Sequence, residues 1–258
     1  MESNYISISN IALLGSIAFM LIVAFIAFLA KLGITKSIII GTVRSFVQLL
    51  LMGYVLGFVF DMNKWYFTVL IVMIMFFFGA WDSYRGLKFK PKNIFYHSLS
   101  ANFIGSFLPL AFLFYGLLQV TPWFNPQYII PISAMVISNT MSGISICLNN
   151  YGNELKLRKN EVEAKLSLGA SCTIAIENIQ KSSIKAGLIP TINALMILGI
   201  VKLPGMMTGQ ILGGVSPVDS VRYQLVIMYI IAAATAISLY ILTKLIQTSV
   251  FNKRGQLV

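Results

Sequence analysis

Residues 8–30 read ISNIALLGSIAFMLIVAFIAFLA, a run of 23 residues without a charged side chain. About 20 apolar residues in an α-helix cross the ~30 Å hydrocarbon core of a bilayer, because each residue adds about 1.5 Å. This run is therefore long enough to span a membrane. Comparable apolar runs recur along the rest of the chain, and together they predict an all-α polytopic membrane protein.

The overall composition indicates the same fold class. The 258 residues are 57% hydrophobic and 10% charged, and the mean hydropathy is +0.83. Soluble domains carry roughly 25% charged residues, so this chain lacks the polar surface that a water-soluble domain of its size would need. The sequence predicts one transmembrane domain over residues 1–258 that is coated by lipid.

A window of about 19 residues predicts about seven transmembrane helices. They cover residues 8–30, 38–60, 65–81, 99–120, 128–148, 188–212 and 223–246. The sixth is interrupted by Lys202-Leu203-Pro204-Gly205, and Pro and Gly break or kink helices. Two alternatives stay open there: a kinked helix that crosses fully, or a short helix followed by a folded-back segment.

The basic residues predict the orientation of the spans. With the N-terminus outside, the inner loops hold fourteen Lys and Arg residues, and the outer loops hold only Lys64 and Arg222. The fourteen are Lys31, Lys36, Arg85, Lys88, Lys90, Lys92, Lys156, Arg158, Lys159, Lys165, Lys181, Lys185, Lys253 and Arg254. Because cytoplasmic loops are enriched in Lys and Arg, we expect a multi-pass protein of the plasma (inner) membrane with its C-terminus in the cytoplasm. The net charge of +11 is explained in this way, and no nucleic-acid partner is expected.

The longest polar stretch, residues 149–187, predicts a cytoplasmic helix–elbow–helix. Residues 154–168 contain neither Gly nor Pro and are rich in Glu, Lys and Leu, which favours a helix. Gly169 would end this helix, and Ser171 is suited to cap a second helix that runs to about Lys185. Two interpretations remain: a linker lying on the inner membrane surface, or an elbow that docks on a cytoplasmic partner.

The elbow resembles the coupling loop of ABC-transporter permeases, whose form is Glu-Ala-Ala, three residues, Gly. Glu163, Ala164 and Gly169 match this form, whereas Lys165 replaces its second Ala. The resemblance implies contact with a separate ATPase subunit. The residues predicted to make this contact are Glu161, Glu163, Ala164, Leu166, Gly169, Ala170 and Ser171.

A more specific resemblance covers nearly the whole chain. The stretches 188–193 (LIPTIN), 199–201 (GIV) and 203–212 (LPGMMTGQIL) resemble the FetB-like iron-export permeases, which are also similar to plant permeases linked to aluminium tolerance. The stretches 44–49 (RSFVQL) and 135–141 (MVISNTM) fit the same family, although Ile137-Ser138 stands where a Gly is expected before the Asn. The resemblance implies a dimeric permease subunit that exports iron or a related metal or small solute.

The sequence contains no Gly-x4-Gly-Lys-Ser/Thr phosphate-binding loop. Energy must therefore come from a partner ATPase, which would use ATP and Mg²⁺, or from an ion gradient. The alternative function is thus a self-contained secondary transporter or channel. An integral membrane enzyme is disfavoured because the spans lack paired acids and His-rich or Asp-rich motifs. No catalytic residue, cofactor or fixed metal site is predicted on this chain.

Polar residues within the predicted spans are candidates for the substrate pathway, since they are costly in lipid. The alternatives are that Arg44 reaches the inner headgroups, that the asparagines join helices by hydrogen bonds, that the methionines fill gaps in packing, and that Pro204–Gln210 is a simple outer turn. The candidates are Arg44, Gln48, Asn102, Asn139, Asn193, Pro204, Met206, Met207 and Gln210.

Overall fold

The computed structural model describes residues 9–87, 91–252 and 256, and these form helices joined by short turns. The helices are α1 (Asn10–Leu29), α2 (Thr35–Met62), α3 (Trp65–Arg85), α4 (Ile94–Ala111) with a π-helical continuation (Phe112–Leu117), α5 (Pro126–Leu157), α6 (Lys159–Ser167), α7 (Cys172–Met196), α8 (Gly205–Leu212) and α9 (Pro217–Val250). Lys88, Lys90, Lys253, Arg254 and the first residue of the predicted span 8–30 lie outside the described residues.

Within these residues, six helical segments are long and apolar enough to cross a membrane. They are Ile11–Leu29, Thr35–Met62, Trp65–Arg85, Ile94–Leu117, Pro126–Leu157 and Pro217–Val250. Each overlaps a predicted span, so the all-α polytopic class is confirmed. The count of about seven is not reached by this criterion, because no such segment covers 188–212.

The region 149–212 divides differently from the prediction. α5 continues to Leu157, nine residues past the predicted end at residue 148, and α7 continues through Lys181 and Lys185 to Met196. A turn then separates α7 from the short α8. The physical reason is that a charged side chain ends a hydropathy run but does not end a helix, since Lys and Glu are good helix formers.

The described chain divides into two compact units, of which the first contains α1 and α2. The side chain of Ser9 caps α1 by accepting a hydrogen bond from the Ala12 N–H at 3.2 Å. The chain turns at Lys31 and Gly33, both with positive φ, to begin α2. Most side chains of this helical hairpin are exposed and apolar, as expected for helices that face lipid.

The second unit contains α3 to α9, with residues 212–214 excluded. α9 lies against α4, α5 and α7, and α5 also packs against α3. Pro217 and Pro126 occupy the first helical positions of α9 and α5, where the missing N–H costs nothing. Two apolar clusters form the core of this unit, one around Tyr151 and Ile176 and the other around Ile132 and Ile227.

Glycines allow two of these helix pairs to approach closely. A Cβ atom on Gly105 of α4 would lie 2.6 Å from the backbone nitrogen of Ser238 in α9. A Cβ atom on Gly187 of α7 would lie 2.7 Å from the carbonyl oxygen of Gly143 in α5. Small residues at such contacts are typical of membrane helix pairs, which rely on close van der Waals packing. These contacts fix the rotation of α4, α5, α7 and α9, and so decide which side chains are buried.

Candidate functional site: the elbow and the polar residues of the spans

The turn between α6 and α7 is set by its backbone hydrogen bonds. The Gly169 N–H donates to the Leu166 carbonyl at 3.0 Å, and the Ala170 N–H donates to the Lys165 carbonyl at 3.0 Å. This is the Schellman pattern, which requires a left-handed residue after the helix, and Gly169 has φ +87°. Ser171 then caps α7 by accepting from the Ile174 N–H at 3.4 Å.

The charges on α6 are paired with each other. Lys165 Nζ lies 2.6 Å from Glu161 Oε1, and Lys159 Nζ lies 3.7 Å from Glu163 Oε1. The hydrogen bond and the positive charge of Lys165 lower the pKa of the Glu161 carboxyl. Such i,i+4 pairs support an exposed helix. They also leave α6 with little unbalanced charge to attract a partner.

Leu168 is the apolar side chain at the tip of the elbow, and it is 88% exposed. The residues predicted for partner contact did not include it. Leu166, which was predicted for contact, is half-buried and packs against the core beside the fully buried Val162. Leu166 and Val162 therefore anchor α6, whereas Leu168, Glu163, Ala164 and Gly169 remain accessible. The signal available in the sequence was the position of Leu168 immediately before the turn glycine.

The pathway candidates of α2 lie on its surface. Arg44 and Gln48 are both exposed and are separated by one helical turn. They belong to the first unit, and whether they line a pathway stays a prediction.

The three asparagines occupy different environments. Asn102 of α4 is 1% exposed, and its Oδ1 accepts from Ser106 Oγ at 3.2 Å. Its Nδ2 has no hydrogen-bond partner among the described residues. A Cβ on Gly79 of α3 would lie 3.4 Å from this Nδ2, so Asn102 is packed between helices. Asn139 of α5 and Asn193 of α7 are exposed.

In the segment between α7 and α8, several backbone N–H groups donate hydrogen bonds to carbonyls of the same segment. The Val201 and Lys202 N–H groups both donate to the Ile197 carbonyl at 3.1 Å, and the Gly199 N–H donates to the Lys202 carbonyl at 3.1 Å. The Thr208 N–H donates to the Pro204 carbonyl at 3.0 Å. These bonds favour the simple turn over a segment whose backbone groups are turned toward a ligand.

The side chains that follow the break are half-buried. Met206 packs against the core cluster around Ile227, which agrees with a gap-filling role. Met207 and Gln210 are also half-buried, and Gln210 Oε1 is buried without a hydrogen-bond partner in the described chain. The described residues contain no group of three or more His, Cys, Asp or Glu side chains that could hold a metal ion.

Comparisons with known proteins give relatives over nearly the full length. The family described as "Uncharacterised protein family (UPF0014)" matches residues 10–251. The probable iron export permease protein FetB of Escherichia coli (strain K12) is 32% identical over 98% of this chain and 96% of its own. The UPF0014 membrane protein YjkA of Bacillus subtilis (strain 168) is 38% identical over 93% of this chain and 94% of its own. Protein ALUMINUM SENSITIVE 3 of Arabidopsis thaliana is 29% identical over 92% of this chain and 85% of its own. No solved structure matches.

Six membrane-length helices and relatives of this kind define the class of protein: a multi-pass helical membrane permease. The chain belongs to the UPF0014 family. The resemblance to FetB-like permeases, predicted from the stretches 188–193 and 203–212, is thereby confirmed.

Proposed function

We propose that this chain is the membrane-spanning subunit of an ABC transporter that exports iron or a related metal ion. A separate cytoplasmic ATPase supplies the energy, and two copies of the chain form the permease. The observation that carries the proposal is the elbow, where Leu168 is exposed beside a hydrogen-bonded turn in a chain whose relatives include a probable iron export permease. Export of iron is supported by the name of one relative, a probable iron export permease.

The elbow is built as a docking element. α6 is short, is anchored by Val162 and Leu166, and has internally paired charges. An exposed leucine at a fixed position can enter an apolar groove of a partner without first being ordered, and this lowers the entropic cost of binding. A surface linker needs no such preorganisation. The elbow therefore favours a partner protein over the alternative of a lone secondary transporter.

The energy source is tested in inside-out membrane vesicles. Vesicles that contain the chain and the ATPase recovered with the tagged chain are expected to accumulate Fe²⁺ only when ATP can be hydrolysed. A non-hydrolysable ATP analogue should give no accumulation. The control is the same vesicles with a proton gradient and no ATP. Accumulation driven by the gradient alone would contradict the ABC mechanism and would establish a secondary transporter.

The orientation is tested with a reporter that is active only in the cytoplasm. We expect activity from a fusion after Lys159 and none after Asn125, because the inner loops carry fourteen of the sixteen loop Lys and Arg residues. Activity after Val258 is expected if residues 188–212 cross the membrane as the predicted sixth span, and its absence would leave six crossings. The elbow must lie in the cytoplasm to meet an ATPase. An inactive fusion at Lys159 would place it on the wrong side and contradict the proposed coupling.

A further inference from the structure

One helix of the second unit presents polar side chains at membrane depth. On α5, Ser138, Asn139 and Ser142 are exposed, and Ser145 and Asn149 are half-exposed. One apolar side chain on the same side, Ile146, is 38% exposed. Ser138, Ser142, Ser145 and Asn149 are separated by four, three and four residues, so they lie along one side of the helix. We call Ser138, Asn139, Ser142, Ser145 and Asn149 the polar face of α5. The opposite side of α5, which includes Val136, Ile144 and Cys147, is buried.

The polar face lies in the middle of its helix. α5 has 32 residues, which is roughly 48 Å of helix. The polar face begins about 18 Å from the first residue and ends about 12 Å before the last one, since each residue adds about 1.5 Å. Because α5 is longer than the ~30 Å hydrocarbon core, part of it lies outside that core. Within the predicted span 128–148, Ser138 and Asn139 lie near the centre and Ser142 lies about 9 Å from the inner end, whereas Asn149 lies just past that end.

The neighbouring spans of the same unit have a different surface. Their exposed side chains at comparable positions are large and apolar, as expected where lipid is the solvent. They are Val69, Leu70, Met73, Ile74, Phe77 and Phe78 on α3, and Val221, Tyr229, Ile237 and Tyr240 on α9. Polar atoms that face lipid with unsatisfied lone pairs are costly, so the polar face of α5 favours contact with water.

The hydrogen bonds of this face select the kind of solute. Ser138 Oγ donates to the Met135 carbonyl at 3.2 Å, Ser142 Oγ donates to the Ser138 carbonyl at 2.9 Å, and Asn139 Nδ2 donates to the Met135 carbonyl at 2.7 Å. The hydroxyl protons of Ser138 and Ser142 and one of the two amide protons of Asn139 are thus donated to the helix backbone. The Ser138, Ser142 and Asn139 oxygens keep neutral lone pairs that can accept hydrogen bonds or coordinate a cation, and Asn139 Nδ2 keeps one further N–H donor.

We propose that the polar face of α5 lines a water-filled route through which a hydrated metal cation passes. Outward oxygens accept hydrogen bonds from the water shell of a cation and do not bind it tightly, because no carboxylate or thiolate is present on this face. Passage requires weak binding of this kind. The identity of the cation rests on the proposed export function, whereas the hydration of the face rests on the structure alone.

Hydration is tested by labelling single cysteines with a membrane-impermeant maleimide. Cys172 is replaced by Ala, and Cys147 is retained because its side chain is wholly buried. Thiols react as thiolates, which form in water and not in lipid, so Ser138→Cys and Ser142→Cys are expected to react at least about tenfold faster than Ile237→Cys. Ile237 is the lipid-facing control, and Ile144→Cys is the buried one. Equal slow labelling at residues 138, 142 and 237 overturns the proposal.

Cation passage is tested by substitution at Asn139. Asn139→Leu removes the outward amide oxygen, and we expect at least about a tenfold fall in Fe²⁺ export, since each missing ligand of the hydrated ion must be replaced during passage. Asn139→Gln, which keeps the oxygen, should retain most of the export. Every variant must give the parent's elution volume in detergent. Full export by Asn139→Leu overturns the role in passage.

The two proposals fail separately. If no ATP-dependent export is found but the labelling pattern holds, the ABC function is wrong and the hydrated face stands, because labelling requires no ATP. If export is ATP-dependent but the polar face is inert to the reagent, the route lies elsewhere and the proposed function stands.

Discussion

Replacing Gly105 by valine is expected to remove nearly all folded protein from the membrane. A Cβ atom at this position would lie 2.6 Å from the backbone nitrogen and 2.7 Å from the Cα of Ser238, in addition to contacting its hydroxyl oxygen. Backbone atoms of a 34-residue helix cannot move aside singly, so α4 and α9 would have to separate. Overpacking typically costs 1–3 kcal/mol, and we expect about 3 kcal/mol or more here.

The measurement is the yield of monodisperse protein and its thermal unfolding in detergent. Gly209→Ala is the matched control, because nothing lies within 4 Å of the added atom in α8, and it should be neutral or stabilising by up to about 1 kcal/mol. Trimming the partner with Ser238→Gly should fail to rescue Gly105→Val, since the clash is with the backbone. Parent-like stability of Gly105→Val would show that α4 and α9 do not cross at this point.

The transmembrane helices were predictable because the signal is local. A bilayer demands about 20 consecutive apolar residues with all backbone hydrogen bonds inside the segment, and six segments of the chain meet this demand. The division of residues 149–212 was less predictable. The residue types of Ser171 and Gly169 predict the helix cap and the turn. The end of α7 at Met196 instead depends on the hydrogen-bonded turn that follows it.

The sequence could not tell which polar residues are buried. Asn102 and Asn139 are the same residue type within predicted spans, yet one is packed between helices and the other is exposed. The difference arises from helix rotation, which is set by contacts such as Gly105 with Ser238 and Gly143 with Gly187. These contacts join residues more than 40 positions apart, and hydropathy contains no information about them.

The same limit applies to the elbow. The match to a coupling loop draws attention to Glu163 and Gly169, and replacing Gly169 by a bulky residue is the most direct test of docking that it suggests. The structure shows that Gly169 has a left-handed backbone and that nothing lies within 4 Å of a Cβ there. A larger residue would therefore strain the turn itself, and a loss of transport would not separate docking from local folding.

The substitution Leu168→Glu separates an effect on docking from an effect on local folding. It is expected to abolish coupling to the ATPase. The side chain is 88% exposed, so its replacement should leave insertion and abundance unchanged. Burial of a leucine in a partner groove contributes roughly 2 kcal/mol, and a buried carboxylate adds a penalty, so we expect the ATPase to bind about 100-fold more weakly. Copurification of the ATPase and ATP-dependent Fe²⁺ export are the two measurements.

Leu157→Glu is the matched control, because Leu157 is an equally exposed leucine (83%) that lies at the end of α5 and not at the elbow. It should copurify with the ATPase and export Fe²⁺ as the parent does. Gly169→Ala adds strain without removing apolar surface, and it should weaken coupling less than Leu168→Glu, since one left-handed alanine costs about 1 kcal/mol. If Leu168→Glu and Leu157→Glu behave alike, the exposed leucine is not what the ATPase contacts, and the elbow is a linker on the membrane surface.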